Sequence, residues 1–510
     1  MHDKIKETPK NLAPRKEPMY RTEQKEQLTF SDFYLPFGGS LSGKNRWVVL
    51  ASIIPWEKFE SKYAEQFSES GMGAPAKPFR MALGSLIIKE KLDITDEETV
   101  EQIRENPYLQ YFIGMEGYSN DVPFDSSMMV HFRKRISLTM LTDINEQIQQ
   151  EQSKKKARVD NSSEQIASEK PTHKGKLLID ATCVPADIRY PTDLSLLNEA
   201  REKTEEVIDK LHKKLKGSEK KVRTYRIKAR KEYLKISKKR RKGEKEVRHA
   251  TRKQLSYLKR NLMYIKELEN KVSLCGLSKN EYRNILVCSE VYRQQEQMYR
   301  KKEHQIEDRI VSISQPHVRP IVRGKAGAAV EFGAKMTISV VDGYTYIEKL
   351  SWNNYNEGID LIEQIEKFRI RFGYYPKSIH GDKIYQNRQN RKYCKEHGIR
   401  MSGALLGRPC KEKDEQREKK TIMKQDEKDR IPVEGKLGNA KRKYGLNRIM
   451  TKRSDTSETT IALIILILNL ERILSGFIFV YFAFNKSCCY YGKKNDYKQV
   501  EYFYNSYMIA

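Results

Sequence analysis

The sequence predicts an α+β or α/β fold: a mixed sheet with flanking helices, split by a long helical insertion and preceded by a helical N-terminal domain. Three observations carry that expectation. Strand-like runs occur at residues 176–184 and again only after Pro316, on either side of a charge-dense span, 194–306, that contains no proline. After Pro316, strand, turn and helix patterns alternate, as in sheets covered by helices. From Phe30 to about Arg135 the pattern is instead one of short helices.

Taken in order, residues 1–28 are polar, rich in Lys and Glu, and expected to be disordered. Residues 29–150 form the helical N-terminal domain, suited to a helix-turn-helix-like, DNA-contacting role. Its apolar run 47–54 ends at the Pro55-Trp56 turn, before a segment 59–67. A helix over 79–92 follows from Met81, Leu83, Leu86 and Ile87, with Gly84 weakening it. Thr95-Asp96-Glu97-Glu98 resembles a helix-start box for a helix over 93–103. A charged, serine-containing linker spans 151–174. The strand 176–184 opens the sheet domain, 175–193 and 316–474, which the basic insertion 194–315 divides. Leu211, Leu215, Leu255, Leu258, Leu262 and Ile265 recur there at helical spacing, which predicts a pair of long antiparallel helices, with Gly217 and Gly243 able to end or bend them.

Beyond Pro316, residues 334–350 alternate about Asp342-Gly343, the strongest short hairpin signal. An amphipathic helix at 357–372 follows, then a strand 376–382, a helix 387–396 stopped by Gly398, and a strand 399–405. A charged loop, 411–429, leads to a helix that contains Glu434. The run 461–484 is apolar apart from Asn469, Glu471, Arg472 and Ser475-Gly476. Its length would permit a membrane span, but its place soon after the basic Glu434 segment favours a buried C-terminal helix. Residues 475–510 form a variable tail.

The formal charge is +29 over 510 residues, far beyond what solubility needs, and it favours a polyanionic partner. Residues 201–260 concentrate it, with 25 Lys and Arg against 8 Asp and Glu. Such a run is often only a solvated face, but the single-sign excess also suits contact with a DNA backbone. The seven cysteines form no CxxC pair and no zinc-spaced Cys/His cluster, so a disulfide scaffold or structural zinc is not expected. The first residues lack the apolar core of a signal peptide.

Three acids stand out by setting. Asp180 interrupts an apolar strand, Asp382 ends a short apolar segment beside Gly381, and Glu434 lies inside a basic segment. Hard divalent cations such as Mg²⁺, with Mn²⁺ able to substitute, take oxygen ligands and one or two carboxylates each. In two-metal phosphoryl chemistry one ion activates the nucleophile and the other stabilises the leaving oxygen. If the strands of Asp180 and Asp382 are neighbours, a helix crossing the sheet edge can bring Glu434 to them. A purely structural basic protein would share the charge without needing these acids.

With these residues in view, the chain resembles the DDE transposases of bacterial insertion sequences, in the branch whose catalytic domain is ribonuclease H-like. The likeness is most specific in Arg430-(three residues)-Glu434-(six residues)-Lys441, and it continues in 443–450 and 457–463. Residues 180–185 and 189–193 are similar to the first-acid region, 381–388 to the second, and 97–112 to the N-terminal domain of the same group. One departure is Glu427, where the family often has a tyrosine. The resemblance implies that Asp180, Asp382 and Glu434 are the catalytic metal ligands and that Arg430, Lys441, Arg442 and Lys443 hold DNA. Asp193 and His380 would be supporting groups, and Asp187 structural. It further implies double-stranded DNA (transposon ends and target) as the partner, a homo-oligomer in the synaptic complex, a bacterial cytoplasmic, nucleoid-associated location and no membrane. A regulatory, non-catalytic DNA-binding derivative is the alternative.

Overall fold

A computed structural model of the chain describes residues 19–20, 29–36, 38–67, 75–160, 172–215, 220–325, 328–403 and 413–490. The chain divides into two compact units, Met1–Ser168 with Glu458–Ala510, and Glu169–Ser457. The expected disordered tail lies almost wholly outside the described residues.

The first unit is helical. Its elements are α1 (Arg46–Ile53), α2 (Trp56–Ala64), α3 (Phe79–Leu92), α4 (Asp96–Glu105), α5 (Pro107–Phe112), α6 (Met128–Arg135) and α7 (Leu138–Asp160). The start signals act as the sequence suggests. Thr95 caps α4 by accepting from the Glu98 N–H, and Asn106 caps α5 with Pro107 in its first turn. Gly84 does not weaken α3: a Cβ there would meet Ile113 at 3.2 Å, so the small residue permits close helix contact. Helix α7 runs through the first ten residues of the expected linker, because the Gln-, Glu- and Lys-rich stretch that read as solvated is also helix-forming; residues 161–171 lie outside the described ones.

The same unit contains most of the C-terminal helix Ser454–Tyr490. Over Ser454–Gly476 this helix is long and apolar enough to cross a membrane, but 78% of an 18-residue apolar stretch within it is buried in the protein. It is the buried helix that the sequence favoured. Thr459 donates to the carbonyls of Arg133 and Ile136, Asn469 donates to Asn145 at 2.8 Å, and Glu471 pairs with Lys91. Its polar residues therefore meet protein partners.

The second unit is a mixed α+β structure of the ribonuclease H-like kind. Strand β1 (Lys176–Pro185) is central. The insertion follows it as α8 (Asp193–Lys213), α9 (Arg226–Ser237), α10 (Glu244–Glu269) and α11 (Lys279–Lys301). The expected helix pair is thus four helices. Two extra breaks arise between α8 and α9 and at Gly243, the N-cap of α10, and a capping box at Ser278–Glu281 starts α11. Leu197, Leu258, Cys288 and Val291 form one core of this bundle, and Ile208, Leu211, Ile265 and Leu268 a second. Each fully buried leucine or isoleucine contributes about 1.5–3 kcal/mol.

The chain then returns as β2 (Arg319–Lys325), β3 (Ala328–Val341) and β4 (Tyr344–Ser351). β2 was not expected from the sequence. It pairs with the first part of β3. Asp342 and Gly343 both take positive φ, 49° and 80°, as the two-residue β3–β4 turn requires. A 3₁₀ turn (Glu357–Ile359) precedes α12 (Leu361–Phe372); β5 (Ser378–His380), a second 3₁₀ turn (Lys383–Tyr385), α13 (Arg388–Glu396) and β6 (Arg400–Met401) follow. β1 pairs antiparallel with β3 and parallel with β5, and β5 pairs parallel with β6. Leu177, Ile179 and Ile379 bury one face of the sheet against Leu361, Ile365 and Phe368 of α12.

The largest correction concerns α14 (Lys413–Lys443). Residues 413–429, expected as part of a loop, are helical and continuous with the Glu434 segment. Pro432 sits inside the helix. Glu, Lys, Gln and Arg upstream are good helix formers, and Val433, Leu437, Ala440 and Tyr444 make a buried stripe downstream. This helix lies on β1 and β5.

Candidate active site

Strand alternation decides where Asp180 points. Leu177 and Ile179 go into the α12 core, so Leu178 and Asp180 project to the opposite face, where α14 lies. The β1–β5 pairing stops at Leu178–His380. Two residues further along both chains, Asp180 is level with Asp382, which has left the sheet. Asp382 caps the Lys383–Tyr385 turn, accepting from the Lys383 N–H at 2.7 Å. The turn is tight: a Cβ on Gly381 would lie 2.9 Å from the Tyr385 ring.

Helix α14 supplies the other groups. Asp426, Arg430 and Glu434 recur every four residues and so share one face. The Arg430 guanidinium stands 3.6 Å from Asp382 and 3.7 Å from Glu434. Burial raises the Asp180 carboxyl above its ordinary range, opposed by the Ala181 N–H and by Arg430, with Glu357 and Glu434 adding to the rise. Asp180, Asp382 and Glu434, far apart in sequence, thus come together about one arginine. The Asp382 and Glu434 side chains remain 58% and 62% exposed, so their oxygens are open to a ligand.

Other expected groups fall elsewhere. Asp193 starts α8 and accepts from Gln295 and Arg309, holding the insertion together rather than facing the acids. Asp187 accepts both Nε and a terminal nitrogen of Arg448, a structural contact as expected. Lys441, Arg442 and Lys443 form the last turn of α14. Glu427 is exposed on that helix.

His380 belongs to a neighbouring cluster that the sequence did not reveal. It is fully buried, bonded to Ser378 at 2.9 Å, and burial pushes its imidazole below the usual range. With Asp426 and Asp429 it forms a group whose donor atoms lie within 4.8 Å of one another. Both carboxylates already have cations: the Arg400 fork holds Asp426 at 2.7 and 2.8 Å, and Lys176 holds Asp429 at 2.6 Å. The cluster therefore acts as a charge clamp tying β6 and β1 to α14, one turn before Arg430. No local sequence signal marks it, since its members come from four separate segments.

A second group missed from sequence flanks the site. Lys335 pairs with Glu357 at 3.2 Å and donates to the Tyr355 carbonyl, and the Tyr385 hydroxyl is buried without a hydrogen-bond partner.

Comparison with known proteins agrees with this architecture. The family described as Transposase DDE domain matches residues 379–471, which include Asp382, Arg430, Glu434 and Lys441. The family described as Transposase domain (DUF772) matches residues 37–135, in the helical first unit. The chain is also similar to the uncharacterized protein ORF8 in the nfe locus of Rhizobium meliloti, 33% identical over 149 residues, which cover 29% of this chain and 66% of that protein's length. No solved structure matches. The ribonuclease H-like sheet and these two matches support a DDE transposase of an insertion sequence.

Proposed function

We propose that this transposase binds the terminal inverted repeats of its own element, cleaves a DNA strand to free a 3′-hydroxyl, and joins that hydroxyl to target DNA. The observation that carries the reading is the meeting of Asp180, Asp382 and Glu434 about Arg430 at the open edge between β1 and β5. In the first step a water oxygen bonds to phosphorus as the P–O3′ bond breaks, and the proton given up by water is matched by one taken up at the 3′-oxygen. In the second the freed 3′-oxygen bonds to a target phosphorus and displaces the target's own 3′-oxygen.

An all-carboxylate set, mutually repelling and partly open, fits hard divalent cations, Mg²⁺ with Mn²⁺ able to substitute. When bound, such ions supply activation of the attacking oxygen and charge stabilisation at the leaving one. Asp180, Asp382 and Glu434 would hold them. The Arg430 contacts exceed hydrogen-bond length, so its donors remain available to a phosphate oxygen while its charge offsets the acids. Lys441, Arg442 and Lys443 continue that positive track along α14, and the insertion adds affinity for the backbone. The protein would act on bacterial chromosomal DNA, as an oligomer that holds two ends together.

Incubation with plasmid-borne element ends tests the reading. Strand nicking and joined products should appear with Mg²⁺ or Mn²⁺ and vanish with EDTA. Specific end binding without any cleavage under either ion would instead support a regulatory DNA-binding derivative.

A further inference from the structure

We propose that Glu357 is a fourth carboxylate of the cation site, binding beside Asp180. This rests on the site proposed above and adds a ligand outside its three acids.

The first support is how the Glu357 turn is mounted. Beyond Leu178 the β5 side of β1 is given over to the turn that carries Asp382, and the Glu357–Ile359 turn sits directly on it. The approach is so close that a Cβ on Gly358 would lie 2.3 Å from the Ile384 carbonyl oxygen. Asn390, buried on α13, donates to the Gly358 carbonyl at 2.6 Å and to the Tyr385 carbonyl at 2.8 Å. Asn387 also donates to Gly358, at 2.9 Å. The two turns therefore move as one piece, and Glu357 is fixed relative to Asp382.

The second support is the Tyr385 phenol. It is 1% exposed and its hydroxyl has no hydrogen-bond partner, an unusual cost for a buried donor. A buried donor on the turn that Asp382 caps suits a ligand shell, where it can bond a water or orient an acid. Lys335 pairs with Glu357 in the structure, as a cation that a bound divalent ion would replace.

The test is Mn²⁺ binding by the full chain without DNA, followed by calorimetry and by the electron paramagnetic signal of free Mn²⁺. Glu357→Gln, which keeps shape and removes charge, should weaken Mn²⁺ binding roughly 10- to 100-fold, the scale found for groups that support a metal site. Lys335→Met should not weaken it, because the carboxylate is retained; circular dichroism checks that both variants fold. If Glu357→Gln binds Mn²⁺ like the parent while Asp382→Asn does not, or if Lys335→Met loses as much as Glu357→Gln, then Glu357 is structural and the inference is overturned. If Asp180→Asn and Asp382→Asn also bind like the parent, it is the three-acid site itself that fails.

Discussion

At the sheet edge one cation, Arg430, is shared among acids, whereas in the helical insertion one acid, Asp209, is shared among cations. Arg430 stands between Asp382 and Glu434 at more than hydrogen-bond distance, and Asp180 nearby is raised by burial. In the insertion, Asp209 receives Arg226 at 2.7 Å and Lys221 at 2.8 Å, and Glu232 receives Lys253 at 2.9 Å and the Tyr257 hydroxyl at 3.0 Å. Partial burial would raise both acids, yet their partners outweigh it and hold them below the usual range. The charges of Asp209 and Glu232 therefore agree with the fold around them, while Asp180 at the sheet edge works against its own. The difference teaches which region is built for stability and which is left open to a ligand.

The contrast is broken most strongly by emptying the insertion's core. Leu258 is fully buried between α8, α10 and α11. Leu258→Ala should cost about 2–5 kcal/mol in urea unfolding of this region. A loss below about 1 kcal/mol would mean the bundle is held by its surface pairs instead, which individually contribute little.

At the sheet edge, Arg430→Ala should lower strand cleavage roughly 10²–10³-fold, the effect of removing one oriented donor from a phosphoryl site. Discrimination for element ends over other DNA should fall with it, measured by competition gel shift. Unchanged cleavage would make Arg430 a structural counter-ion only.

The connector between α9 and α10 carries Lys239, Arg240, Arg241 and Lys242, all exposed, with Lys239 also paired to Glu246 at 2.8 Å. Replacing all four by glutamine should weaken binding to every DNA alike. If two phosphate contacts are lost, the plot of log affinity against log salt should flatten by roughly 2. An unchanged slope would leave the connector's charge with no part in DNA contact.

The smallest effect is on stability at the acids. Because the folded Asp180 carboxyl holds its proton more tightly than the ordinary value of 3.8, its contribution is fully present below that pH and is lost as pH rises through the raised value. Asp180→Asn, without divalent ions, should therefore melt slightly higher than the parent near neutral pH, with the difference disappearing below about pH 3.8. A lower melting temperature at neutral pH would mean that the Ala181 N–H and Arg430 outweigh burial.

Much of this was legible in sequence because local rules produced it. An apolar run interrupted by one acid marked β1, Asp342-Gly343 marked the β3–β4 turn, and Thr95 and Asn387 mark the starts of α4 and α13. The same rules misread residues 413–429, whose dense charge read as a loop although their composition is helix-forming, and overlooked β2. Asp180, Asp382 and Glu434 could be nominated because each interrupts a recognisable pattern. Glu357, Asn390, Asp426 and Arg400 could not, since their roles depend on which turns and strands the tertiary fold brings together.

The central claim is that the acids at the sheet edge perform chemistry while the basic surfaces hold DNA. Asp180→Ala, Asp382→Ala and Glu434→Ala, each assayed for cleavage of element ends in Mg²⁺ and for end binding by gel shift, test it most directly. The account predicts cleavage reduced by roughly 10³-fold or more in all three, with end binding near that of the parent. Near-normal cleavage by any one variant would remove that acid from the site, and loss of binding in step with cleavage would contradict the division between chemistry and affinity.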